Sequence, residues 1–146
     1  MNERTAVAER GAYRSVEALL LAEGTHYAGA KKWLPRCGWM MGPAKQCYRN
    51  SAKLTHKDPA RYRYCEGFAL STSLGPLEHA WVEDSRDGLV IDRTWPSGAV
   101  EYLGVRFDFK FLCANLVNQG RYGVLGSIEA VRRILADPEF RVKALV

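Results

Sequence analysis

The stretch His79-Ala80-Trp81-Val82-Glu83-Asp84-Ser85-Arg86-Asp87-Gly88-Leu89-Val90-Ile91-Asp92 decides the fold. Two apolar runs, 79–82 and 89–92, flank a polar loop that closes on Asp87-Gly88. That pair suits a tight turn, because glycine enters left-handed backbone at no steric cost. The pattern predicts an antiparallel hairpin. Antiparallel pairing sets the start of the first strand beside the end of the second. His79 and Asp92 therefore fall at one end of the hairpin. Whether they share a face depends on register, since a slip of one residue turns every side chain over.

The neighbouring segments supply the rest of the sheet. Tyr62-Arg63-Tyr64-Cys65-Glu66-Gly67-Phe68-Ala69-Leu70 reads as a strand with Tyr62, Tyr64, Glu66 and Phe68 on one face. Glu66 thus keeps company with aromatics, at a strand end or with a polar task beside a cleft. Tyr102 to Phe107 reads as a further strand.

Helices are predicted on either side. Ser15 is an N-cap, followed by Val16, Leu19 and Leu20, with Gly24 as the stop. A helix from about Gln46 to Leu54 ends at Lys57-Asp58-Pro59, because the residue before proline avoids helical backbone. Phe111 to Val117 and Ser127 to Leu135 are helical, the latter capped by Ser127 and closed by Asp137-Pro138. Residues 25–46, rich in Gly, Pro, aromatic and Met residues, read as a long irregular loop, a kind that is often functional. The expectation is an α+β domain spanning residues 1–146, with residues 1–12 flexible. N-terminal helices pack on a small antiparallel sheet, and a C-terminal helix completes it.

Bulk properties narrow the classes. A chain of 146 residues with 47% hydrophobic and 25% charged residues can bury a core without disulfides or metal. No apolar run spans a bilayer, and the mixed-charge start lacks a signal-peptide core, so a cytoplasmic location is expected. The net charge is +5, from 21 basic and 16 acidic residues. The basic residues are scattered. Their densest group, Lys53, His56, Lys57, Arg61 and Arg63, reads as a solvated face, which makes nucleic acid a minor partner reading. The four cysteines, Cys37, Cys47, Cys65 and Cys113, include no Cys-X-X-Cys pair. The spacing of Cys47, Cys65 and His79 matches no common metal site, so neither metal nor cofactor is expected. Cys65 and Cys113 read as small core hydrophobes, Trp81 and Trp95 as core packing, and His26 and His56 as surface residues.

Cys47, His79 and Asp92 are the candidate catalytic residues. A helix N-terminus favours thiolate through its partial positive charge and free N–H groups, and the same N–H groups can hold an oxyanion. His79 would exchange the thiol proton, and Asp92 would bind the far ring nitrogen and select the tautomer. Gln46 could add a donor to the oxyanion hole. Asn50, one helical turn past Cys47, could orient substrate or bridge to the sheet. Glu66 is the third candidate for substrate binding.

His79-Ala80-Trp81-Val82 followed by Val90-Ile91-Asp92-Arg93-Thr94-Trp95 resembles the transglutaminase-like branch of the papain-like cysteine hydrolases. There a His-Ala-Trp strand precedes a strand ending in Asp-Pro-Thr. Tyr64-Cys65-Glu66-Gly67-Phe68-Ala69 looks like that family's strand between the cysteine helix and the histidine strand. The resemblance covers residues 44–107. It departs at Arg93, where proline is usual, and around Cys47, where Ala44-Lys45-Gln46-Cys47 replaces a Gly-X-Cys-X-Asp pattern. The chain also resembles small bacterial and phage proteins with Cys-Tyr-X-Asn, Tyr-X-Glu-Gly, His-Ala-Trp and Asp-X-Thr-Trp in that order. The resemblance implies a papain-like core and a thiol hydrolase or acyltransferase working through a thioester on a peptide, protein or small amide. A catalytically silent binding module on the same fold is the alternative, favoured by small size and the 25–46 loop.

Overall fold

Tyr62–Ser71, with Tyr64 to Gly67 buried on both faces, is the central strand of a five-stranded antiparallel sheet. The computed structural model describes residues 11–31, 45–96 and 98–146. In chain order the elements are α1 (Val16–Glu23), β1 (Thr25–Tyr27), α2 (Cys47–Lys57), β2 (Tyr62–Ser71), β3 (Gly75–Asp84), β4 (Leu89–Ile91), β5 (Glu101–Arg106), α3 (Phe109–Gln119), α4 (Ile128–Ala136) and α5 (Pro138–Ala144). The strand order is β1-β5-β2-β3-β4, so the architecture is α+β.

Register gives the sheet two different faces. Tyr64 pairs with Val82, and Glu66 pairs with Ala80 on one side and Val105 on the other. This face receives the helices. Leu19 and Leu20 of α1, Ala52 of α2, Leu112 of α3, Ala130 and Ile134 of α4 and Ala144 of α5 join Tyr64, Ala80, Val105 and Phe107 in one buried cluster. Tyr62, Tyr64, Glu66 and Phe68 share a face as the alternation predicts. On the opposite face Cys65, Ala69, Trp81 and Tyr102 pack with Tyr27, Val90 and Ala99, and with Ala30 and Trp95 at the margin. Among the described residues, Ala30, Trp95 and Ala99 of the connecting segments cover that face. Burying each large apolar side chain here stabilises the fold by on the order of 2 kcal/mol.

Gly67 and Gly104 face each other across β2 and β5. A Cβ at Gly67 would lie 2.1 Å from the Leu103 carbonyl oxygen, and one at Gly104 would lie 2.5 Å from the Trp81 ring. Both positions need glycine for close approach, which lets the indole of Trp81 lie against the backbone of β5.

The structure departs from the sequence reading in four places. The 25–46 loop begins as a strand, because β1 pairs with β5 at the sheet margin through Thr25↔Gly104 and Tyr27↔Tyr102. Residues 32–44 of that loop, with Cys37, lie outside the described residues, as do residues 1–10. Helix α2 runs to Lys57, a turn beyond Leu54, and stops only at Asp58 before Pro59. Ser127 occupies the N-cap of α4 without making a side-chain cap bond. Asp137-Pro138 closes α4 but also opens α5. The Asp137 carboxylate accepts from the Glu139 and Phe140 amides, and proline stands where no N–H is required. Arg141 then ties α5 down, donating to the Ile134 and Leu135 carbonyls at 2.8 and 3.2 Å and pairing with Glu23 at 3.3 Å. Among the described residues no helix is long and apolar enough to cross a membrane.

Candidate active site

The hairpin register settles which face His79 and Asp92 occupy. Val82 pairs with Ile91, Glu83 with Val90 and Asp84 with Leu89. Continued by one residue, this register sets Asp92 opposite Trp81, diagonal to His79 and on the same face. The strand ends at Ile91, and the turn that follows folds back onto His79. Asp92 Oδ2 lies 2.8 Å from His79 Nε2, with both side chains buried. Asp92 Oδ1 accepts from the Thr94 and Trp95 amides at 2.9 and 3.0 Å. This Asx-type turn is formed by the carboxylate itself, so the residue that orients the imidazole also shapes the loop that carries it.

Helix α2 brings Cys47, its N-terminal residue, within reach of the ring. The thiol is half-buried against the helix-side core. It acts on His79 as both a hydrogen-bond and a charge partner. With Nε2 held by Asp92, Nδ1 is the nitrogen left for the thiol. No side chain caps the start of α2 at Gln46, and Lys45 before it adopts left-handed backbone with φ 61°. That conformation costs a non-glycine residue on the order of 1 kcal/mol. It turns the chain sharply into the helix, and among the described residues no side chain caps the first-turn N–H groups.

Electrostatics follow from this packing. Burial alone would lower the His79 pKa. Hydrogen bonds to Asp92 and Cys47, with the charges of both, outweigh burial and raise it from 6.5 to about 9. Burial would raise the Asp92 pKa, but His79 and the Trp95 and Thr94 amides hold it below the usual carboxylate value. At neutral pH the ring is therefore an imidazolium facing a carboxylate. Cys65, by contrast, is fully buried; desolvation and the Glu83 charge push its thiol up to about 12, which makes it inert.

The other predicted site residues fall in different places. Gln46 is exposed, and its Oε1 accepts from Arg49 at 3.0 Å. Asn50 is buried and donates through Nδ2 to Thr94 Oγ1 at 3.0 Å, bridging the cysteine helix to the aspartate turn. Glu66 lies mid-strand rather than at a strand end and is 1% exposed. Its carboxylate accepts from the Tyr64 hydroxyl and from the Val124 and Leu125 amides at 2.6 and 2.8 Å. Glu66 thereby ties down the segment before α4, in which Gly123 sits against the Tyr48 ring. Its polar task is to hold that segment.

Two residues read from sequence as plain packing prove to touch the imidazole or its neighbours. Trp95 stacks on His79 with ring centroids 4.0 Å apart and planes 15° from parallel. Trp81 lies 6.5 Å away, also stacked, and among the described residues its buried indole N–H has no hydrogen-bond partner. Tyr102, read only as part of a strand, donates to Asp92 Oδ2 at 2.8 Å. Trp95 follows Asp92 by three residues, and that spacing was its one sequence signal. Tyr102 carried none, because the contact depends on how β5 pairs.

Among the described residues no group of three or more His, Cys, Asp or Glu side chains is arranged to hold a metal ion. A small polar cavity of about 120 Å³ lies beside Tyr48, lined also by Glu66, Glu78, Phe68 and Leu125. The chain matches no protein-family model, no curated protein and no solved structure.

Proposed function

We propose that this protein is a thiol hydrolase or acyltransferase with a papain-like, transglutaminase-like core, acting on an amide through Cys47, His79 and Asp92. The observation that carries the reading is the imidazole of His79, held at Nε2 by a buried carboxylate, with Cys47 at a helix start as its second partner. Cys47 Sγ attacks the amide carbonyl carbon, and the oxyanion forms beside the first-turn N–H groups of α2. When the C–N bond breaks, the His79 imidazolium gives its proton to the leaving amine, and a thioester remains on Cys47. Water or an amine then attacks the thioester carbon, yielding a proton to His79 and releasing the thiolate. Asp92 keeps the ring in the tautomer both steps need and offsets the imidazolium charge.

The test is the alkylation rate of each cysteine against pH, read by peptide mass spectrometry in the wild type and His79→Ala. Expected is preferential labelling of Cys47 below neutral pH, slowed when His79 is lost. A screen of amide and ester substrates, with Cys47→Ala as the inactive control, follows. Labelling of Cys47 that ignores His79, or turnover that survives Cys47→Ala, would sink the reading and turn the search to partner capture by a binding module.

A further inference from the structure

Tyr102 and His79 meet on one oxygen. The Tyr102 hydroxyl and His79 Nε2 each lie 2.8 Å from Asp92 Oδ2. The direction of the phenolic proton follows from its second partner. The Ala99 amide donates to the Tyr102 oxygen at 2.8 Å, so the hydroxyl proton is directed at the carboxylate. Burial and the Asp92 charge keep this phenol protonated, so it remains a donor through the working pH range. The ring is 1% exposed and packs 5.0 Å from Trp81 and 6.4 Å from His79. Backbone amides on Oδ1 hold the carboxylate in place independently. The hydroxyl is therefore not required to keep Asp92 where it is. What it changes is how much of the Oδ2 charge reaches the imidazole.

We propose that Tyr102 is a positioning residue that acts on His79 through Asp92: its hydroxyl takes a share of the Oδ2 charge and limits how tightly the imidazolium holds its proton. A general acid works best when its proton affinity lies near the operating pH. An imidazole facing an unshared buried carboxylate would keep its proton too firmly to release it to a leaving amine. The kinetic consequence rests on the thiol-hydrolase reading; the effect on His79 does not.

The experiment is an NMR titration of the His79 ring in the folded free protein, assigned by its loss in His79→Ala. Tyr102→Phe keeps the ring and removes the donor. Losing this donor to a charged carboxylate should move the His79 midpoint up by about half to one pH unit. The second variant carries 3-fluorotyrosine at position 102. It keeps the hydroxyl and makes it a stronger donor, so the midpoint should move down. Opposite shifts in the two variants establish the relation, even if Cys47 proves unreactive and the hydrolase reading falls. If Tyr102→Phe does not fold, the fluorinated protein decides alone. No shift in a folded variant, or the same sign in both, overturns the proposal.

Discussion

Asn50 Nδ2 donates to Thr94 Oγ1 across 3.0 Å of buried space, and this bond links the two halves of the candidate site. Asn50 lies three residues after Cys47 on α2, and Thr94 lies two residues after Asp92. The bond therefore fixes the nucleophile helix against the turn that presents the carboxylate. Asn50→Ala leaves a buried hydroxyl unpaired and should cost about 1–3 kcal/mol. Urea unfolding should show a lower midpoint with an unchanged slope, and Cys47 labelling should lose part of its dependence on His79. A midpoint equal to wild type would show that the bond carries no stability.

Glu66 answers three donors from the middle of β2. Its pKa is raised by burial despite them, so the carboxylate is held at some cost. Glu66→Ala strands two amides and a phenol and opens a cavity, for a loss of roughly 3–5 kcal/mol. The amides of Val124 and Leu125 should lose hydrogen-exchange protection before the rest of the sheet does. Protection lost uniformly, or not at all, would contradict the tie between β2 and this segment.

The His79–Asp92 pair makes stability depend on pH with a definite sign. The folded state raises the His79 pKa from 6.5 to about 9. That contribution is complete below 6.5 and disappears as pH rises through 9. The Asp92 pKa is lowered from 3.8, so its contribution is present above that value and disappears as pH falls through the folded value. Between pH 6.5 and 9.5 the wild-type urea midpoint should therefore fall more steeply than that of His79→Gln. Parallel curves would show that the imidazole is not held as an ion pair.

Gly104→Ala tests the close approach beneath Trp81. The new methyl would meet the Trp81 ring at 2.5 and 2.8 Å and the Glu66 carbonyl oxygen at 2.5 Å. Overpacking of this kind costs about 1–3 kcal/mol or more. The tryptophan near-ultraviolet circular dichroism should change along with the unfolding midpoint. A variant with unchanged stability and spectrum would mean that β2 and β5 are further apart than described.

Much of this site was legible in the chain. Two apolar runs around Asp87-Gly88 place His79 and Asp92 at one hairpin end whatever the turn, because antiparallel pairing leaves no other arrangement. Alternation from Tyr62 to Phe68 assigns a face without reference to any partner, and Pro59 stops α2 through purely local sterics. The remaining features depend on contacts between residues distant in sequence. Thr25–Tyr27 becomes a strand only because β5 offers it an edge. Glu66 serves the segment at Val124, and Tyr102 reaches Asp92, through pairings that no local pattern encodes. Periodicity and turn chemistry act over a few residues, so the sequence alone determined the hairpin, the helix stops and the candidate triad. Which polar groups meet in the interior is set by how the sheet orders its strands, and only the tertiary structure decided that.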